Sequence, residues 1–219
     1  MALRVLTWNL FHGRAVPPAG RDLLGEFAAA IRGWEWDVAL LQEVPPWWPG
    51  ALAVATGSEQ RSVLTSRNAG LAVRRAIATR WPDAIRANGG GCNAILVRGG
   101  AGPISAHGAR RLGVWPERRW VHGVRVPAGW VCNVHTQALA RQGIAAAGAA
   151  QSWAEDGGAV VFGGDFNLPY LALEGFEYAG GCRVDHVYVQ GFRVTGDGEV
   201  LDHGALSDHA PVVVTVDLD

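Results

Sequence analysis

Twice in this chain an apolar, β-branched run is followed by a helical stretch and then by a second apolar run ending at a carboxylate. In the first unit residues 3–8 lead into Asn9, a helix is predicted over 22–34, and the run 37–42 ends at Glu43. In the second, 130–136 contains His135, 138–155 reads as an Ala-rich helix, and 159–163 delivers Asp165. Leu23, Leu24, Phe27, Ile31 and Trp34 recur at helical spacing, with Asp22 placed to cap the open amides of the first turn. Two such strand-rich halves, each needing cover on one face, pack as a sheet-on-sheet sandwich with helices outside. Between them the pattern predicts a helix over 68–81, a loop at Gly89-Gly90-Gly91, and strands over 93–98 and 119–126. Further strands follow at 184–189, 192–195 and 211–216.

A chain of 219 residues fits one domain over its whole length, 1–219. With 49% hydrophobic and 18% charged residues the composition is that of a soluble globular protein. The net charge of -1 argues against a broad basic surface for long duplex DNA, although local patches could still serve. All 19 basic residues are Arg, so every basic side chain offers a guanidinium fork to a phosphate. Cys92, Cys132 and Cys182 are widely spaced and odd in number, which fits neither a disulfide framework nor a metal knuckle. The first residues run into a strand without a signal-peptide core, and no apolar run approaches the ~20 residues of a membrane span. The expectation is a cytoplasmic protein with no membrane span and no obligate protein partner.

Four short polar clusters end the apolar runs: Thr7-Trp8-Asn9, Leu41-Gln42-Glu43, the Gly163-to-Asn167 segment GGDFN, and the Ser207-to-Pro211 segment SDHAP. Strand ends are where a rigid sheet aims side chains into a cleft. The donors suit phosphoester hydrolysis, which needs a divalent cation, a positioned water, and groups that meet charge growing on the phosphoryl oxygens. Glu43 is the first choice of metal ligand, with Asn9 and Asp208 next; Mg²⁺ takes oxygen donors of this kind. Asp165 and Asn167, two apart, are expected to project to one side of an extended segment. One holds or deprotonates a water and the other donates to the phosphate; an Asx turn is the alternative. Asp185 is the candidate partner that fixes the tautomer of His209, and His186 reads as a packed strand residue.

These motifs, in this order, resemble the endonuclease/exonuclease/phosphatase superfamily, whose members include DNase I, exonuclease III-type repair nucleases, sphingomyelinases and inositol polyphosphate 5-phosphatases. The resemblance runs from residue 3 to 217 and is carried by the TWN, LQE, NxH, GGDFN, VDH and SDHAPV elements. It implies an α/β fold, a four-layer α/β/β/α sandwich of two mostly antiparallel sheets, and a hydrolase dependent on Mg²⁺ or Mn²⁺. It also implies that Asn9, Glu43 and Asp208 lie on the metal side and that His135 faces the phosphate. Asp165 and Asn167 then position the nucleophile, and Asp185 with His209 acts as a polarised acid or base.

The stretch from Asn167 to Asp185 is shorter than in many nucleases of the superfamily, which leaves a more open cleft. Asn93 reads either as a strand-start residue or as a contact to phosphate or to His135. Arg67, Arg74, Arg75, Arg80 and Arg86 with Trp81, and Arg110, Arg111, Arg118 and Arg119 with Trp115 and Trp120, read either as solvated faces or as a single-strand surface. Trp47 and Trp48 form a cleft wall or a packed loop. The leading expectation is a phosphodiesterase of nuclease type acting on a phosphoester substrate, nucleic acid among the candidates. A phosphomonoesterase on small-molecule or lipid-headgroup phosphates comes second, and a non-catalytic phospho-ligand or protein-binding module third.

Overall fold

The computed structural model describes residues 2–65, 68–81, 83, 91–155 and 158–218. The first half holds β1 (Ala2–Asn9), α1 (Leu24–Gly33), β2 (Val38–Val44), α2 (Pro49–Thr56), β3 (Ser58–Leu64), α3 (Leu71–Arg80) and β4 (Cys92–Arg98). The second holds β5 (Ala106–Gly113), β6 (Arg119–Val126), β7 (Gly129–His135), α4 (Ala140–Ala154), β8 (Val160–Asp165), β9 (Glu177–Cys182) and β10 (Asp185–Gln190). The chain finishes with β11 (Phe192–Val194), β12 (Glu199–Val200) and β13 (Val212–Leu218).

One sheet runs β11-β13-β1-β2-β4-β3, with β12 also on β13, and the other runs β5-β6-β7-β8-β10-β9. Among the described residues only β1 with β2 and β7 with β8 pair in parallel; each strand-helix-strand unit of the sequence thus forms the parallel centre of one sheet. The pairing sets the site. Asn9 lies opposite Gln42 in the first sheet, and His135 lies opposite Asp165 in the second. Antiparallel pairing of β10 with β8 then places Asp185 opposite Asp165, so His135, Asp165 and Asp185 form one row across three strands.

The alternation of the strands builds the layers. Leu3, Val5, Val38, Leu40, Val131, Val161, Val187 and Val214 fill the space between the sheets. Leu6, Trp8 and Leu41 point the other way, under Phe27 and Ile31 of α1 and Leu52 of α2. Val134, Val160 and Phe162 do the same on the far side, under Ala146, Ala149 and Ala150 of α4. The result is the expected α/β/β/α sandwich. Burying each large apolar side chain contributes about 1.5–3 kcal/mol, more than the ~1 kcal/mol span of strand propensities, so alternation decides the register.

The structure departs from the sequence expectations in places. The first helix begins at Leu24, and Asp22 still meets its start, because Oδ1 accepts the Leu24 amide at 2.9 Å. Helix α2 and strands β3, β5, β9 and β12 are additional elements. The segment after Asp165 is turned, not extended: Asn167 has φ 52°, and its N–H donates to Asp165 Oδ1 at 2.8 Å, closing an Asx turn. All three cysteines are free. Gly89, Gly90, Arg67 and Arg86 lie outside the described residues. No helix of the described residues is long and apolar enough to cross a membrane.

Candidate active site

The two sheets pack face to face, and the polar clusters at their strand ends meet at one end of the sandwich. Asn9, the last residue of β1, donates from Nδ2 to Asp165 Oδ2 at 2.9 Å, and its Oδ1 accepts the Phe11 amide at 2.9 Å. Asp165 therefore receives one bond from each half of the molecule, the second being the Asn167 amide. Gly164 makes its position possible: with φ 139°, a Cβ there would stand 2.0 Å from the Val134 carbonyl oxygen. The two glycines before Asp165 thus admit neighbouring strands.

Asp185 and His209 meet across the sheets, with His209 Nδ1 2.7 Å from Asp185 Oδ2. Burial disfavours a charged imidazole, but the Asp185 hydrogen bond and the charges of Asp185, Asp165 and Asp208 outweigh it and raise the His209 pKa to about 9. Burial raises Asp185 to about 6 despite that hydrogen bond, with the Asp165 charge adding to the rise. The loop before β13 is pinned by Trp8 Nε1, which donates to the His209 carbonyl at 2.8 Å, and by Ser207 Oγ, which donates to the Asn9 carbonyl at 2.7 Å.

His135 is buried, and its Nε2 lies 3.5 Å from Asp165 Oδ2 and 3.9 Å from Glu43 Oε1. Burial, with the positive fields of Arg119, His12 and His209, holds its pKa well below the usual value. The ring is therefore neutral, and its approach to Asp165 is a polar contact between an imidazole and a carboxylate. Glu43 sits in a β-bulge where the register of β2 against β4 shifts, and has φ 50°. Burial and the Asp165 charge push its carboxyl up to about 7. His12 Nε2 is 3.1 Å from Glu43 Oε2. Asp208 is more exposed than the others, with Oδ1 4.0 Å from His209 Nε2, and its charge also raises Glu43. Asn93 is buried on β4 opposite the bulge; no hydrogen bond joins it to His135, and both amide atoms lack partners among the described residues.

A family model described as the Endonuclease/Exonuclease/phosphatase family matches residues 6–209. The chain belongs to that family. Solved structures show the same fold. An endonuclease/exonuclease/phosphatase from Beutenbergia cavernae superposes with a TM-score of 0.70 at 21% identity, over 99% of this chain and 72% of that one. One from Bacteroides vulgatus gives 0.72 at 14% identity over 100% of both chains. A mannosyl-6-phosphatase from Bacteroides thetaiotaomicron gives 0.67 at 16% identity over 98% of this chain and 99% of that one. No curated protein matches the chain at a significant level.

This endonuclease/exonuclease/phosphatase family chain thus brings Asn9, Glu43, His135, Asp165, Asp185 and His209 into one interlinked cluster, with Asn167 and Asp208 at its rim. Several neighbours were not anticipated. His12 stands beside Glu43, but it lies in a Gly- and Pro-rich loop with φ 54°, where no periodicity applies. Arg119, read as part of a surface group, is only 13% exposed in its side chain, and its charge acts on Glu43, His135 and Asp165. Gln42 and Asn133 join the sheets beneath the site: Gln42 Nε2 donates to Asn133 Oδ1 at 2.8 Å, and Asn133 Nδ2 donates to the carbonyls of Leu41 and Ala94 at 2.9 Å. Asn133 is two residues before His135 in a strand, a same-face spacing that could have flagged it. His186 packs against Phe166, Tyr178 and Tyr188, as expected. Trp48 is buried on Phe27, whereas Trp47 lines a surface hollow with Leu71 and Arg75.

Proposed function

We propose that this protein is a divalent-metal-dependent phosphoester hydrolase, acting on phosphodiesters of nuclease type. The observation that carries the reading is the buried row His135, Asp165, Asp185, tied at one end to His209 and faced by Asn9 and Glu43. Buried carboxylates at such density cost stability unless something compensates them, and sites of chemistry are where that cost recurs.

The oxygen donors of Glu43, Asp208 and Asn9 fit a hard cation, Mg²⁺ or Mn²⁺, because the Glu43 carboxyl, raised by burial and by the charges of Asp165 and Asp208, is relieved by positive charge beside it. Such an ion, when bound, polarises a phosphoryl oxygen and offsets its negative charge. Asp165, Asp185 and His209 also offer one atom each within 4.8 Å of one another. We assign this second group to proton handling, since His209 Nδ1 and Asp185 Oδ2 already hold each other at 2.7 Å. Asp185 fixes the His209 ring so that Nε2 faces the cleft and exchanges a proton there. Asp165, held by Asn9 and the Asn167 amide, orients the attacking water. Neutral His135, Arg119, Asn167 and the unpartnered Asn93 amide supply donors to the phosphate.

The test is a panel of Mg²⁺, Mn²⁺ and EDTA with wild type and Asp165→Ala, on single-stranded and duplex DNA, RNA, bis-p-nitrophenyl phosphate and p-nitrophenyl phosphate. Diester cleavage that needs both metal and Asp165 is expected. Silence on every substrate with metal bound would overturn the reading. A second reading, hydrolysis of small phosphomonoesters, is favoured by the likeness to the mannosyl-6-phosphatase and by a hollow of about 420 Å³ beside His209, a small-molecule size. Cleavage of the monoester alone would select it.

A further inference from the structure

We propose that Arg183 recognises a second phosphate on the substrate, next to the one that is cleaved. The inference rests on the phosphoester-hydrolase reading and narrows its substrate class. Strands β9 and β10 are joined by two residues, Arg183 and Val184, with Cys182 paired to Asp185 across the turn. Arg183 has φ 57°, and Val184 is not among the residues with positive φ. A two-residue hairpin with a left-handed first central residue normally takes Gly there. A bulky residue in that conformation is strained. The chain places glycines at 180 and 181, immediately before the turn, and an arginine in the turn itself. A local choice this unfavourable inside an otherwise consistent hairpin points to a role for the side chain outside the fold.

The position supplies the role. Arg183 lines the hollow of about 420 Å³ whose other walls include Asn167, Cys182, Asp185, Asp208 and His209. Asn167, on that same wall, also has left-handed backbone, and strain gathered around one hollow is typical of a ligand clamp. His209 is engaged with Asp185, and Asp208 is assigned to the metal, so Arg183, the arginine among the lining residues, offers its guanidinium to an anionic part of the ligand. A guanidinium fork matches two oxygens of a phosphate, and the hollow has room for a nucleotide or a sugar phosphate. The second phosphate has two sources of the same chemistry, the adjacent linkage of a polynucleotide or the other ester of a small bisphosphate.

The experiment uses substrate pairs that differ only in that group: the thymidine dinucleotide with and without a terminal 5′-phosphate, and glucose 1,6-bisphosphate against glucose 6-phosphate. Wild type should prefer the two-phosphate member of one pair by about ten- to a hundredfold in kcat/KM, as for loss of a charged hydrogen bond. The nucleotide pair would identify the polynucleotide source, and the sugar pair the bisphosphate. Arg183→Gly suits the turn and should hold or raise Tm while abolishing the preference; Arg183→Gln should abolish it too, and Arg183→Lys should keep part of it. Arg193→Ala, on exposed β11, should leave it intact. Absence of a preference in both pairs, or its survival in Arg183→Gly and Arg183→Gln, would overturn the inference. Binding of the same pairs to Asp165→Asn repeats the comparison without turnover, so failed hydrolysis, which sinks the proposed function, stays distinct from a failed preference.

Discussion

His209 Nδ1 and Asp185 Oδ2 stand 2.7 Å apart although His209 lies in the loop that leads into β13 of one sheet and Asp185 opens β10 of the other. Asn9 to Asp165 and Gln42 to Asn133 are further links of this kind. The site therefore exists only where the two sheets are closed on each other. Its geometry is inherited from the apolar interface formed by residues such as Val5, Leu40, Val161 and Val187. This explains how side chains at the ends of strands from two sheets are held in one fixed arrangement.

Breaking that link should cost turnover more than stability. Asp185→Asn keeps the shape but removes the charge that supports the imidazole, and kcat should fall by about 10²–10⁴, the range for a positioned acid-base group. Activity assays on bis-p-nitrophenyl phosphate with thermal melting of the same samples check this. An unchanged kcat in a folded variant would show that the pair does not handle the proton.

Gly164→Ala should unfold the site from beneath. Its Cβ would stand 2.0 Å from the Val134 carbonyl, at a φ of 139° that other residues rarely adopt. Overpacking and backbone strain together should remove about 2–5 kcal/mol, read by urea denaturation. Gly148→Ala on α4 is the matched control, since nothing lies within 4 Å of its Cβ, and should stabilise by about 0.5–1 kcal/mol.

Asn133→Leu should destabilise by about 2–4 kcal/mol, because in the buried seam between the sheets it removes the shortest of three acceptors of Gln42 Nε2, leaving Thr7 Oγ1 and the Leu40 carbonyl, and takes the side-chain donor from the Leu41 and Ala94 carbonyls. A double variant with Gln42→Leu should recover part of that loss, as removing both partners leaves fewer orphaned groups. Full additivity of the two losses would mean that the bond contributes nothing to the coupling of the sheets.

Much of this was legible in the sequence because the two strand-helix-strand units lie at the parallel centres of their sheets, where strands such as 160–165 are buried on both faces and read as apolar runs. Of the unforeseen strands, β3, β5 and β9 are sheet edges and β12 is a two-residue pairing on β13. Ala106–Gly113 carries Arg110 and Arg111 with two glycines, a composition that protects an edge from pairing with other chains and so hides it from strand patterns. Helix α2 is short and follows a Pro and Trp run that reads as loop. Within the site, Asp165, Asp185 and His209 were visible as polar residues breaking apolar runs. The Asx turn at Asn167 stood there as the alternative to an extended segment, whereas the bulge at Glu43 was not visible, because it rests on positive φ at a residue other than glycine.

The last prediction concerns acid. His122 is fully buried in β6, with Nδ1 3.3 Å from His107 Nε2, and burial, with the His107 charge, lowers its pKa to about 3. A histidine whose folded pKa is depressed adds stability above its unfolded value of about 6.5, and that stability is lost as pH falls toward the folded value. His135, His107 and His186, all shifted downward mainly by burial, act in the same direction. These histidines lower Tm as pH falls from 7 to 4, whereas the raised carboxyls of Glu43 and Asp185 take up protons in the folded state and act the other way, so the His122 share is read from the difference between two acid limbs. His122 Nε2 has no partner among the described residues, so His122→Leu should leave Tm at pH 7.5 near the wild-type value while making the acid limb shallower. Melting curves of both proteins across that range decide it: parallel acid limbs would mean that His122 is not a group whose protonation opens the fold.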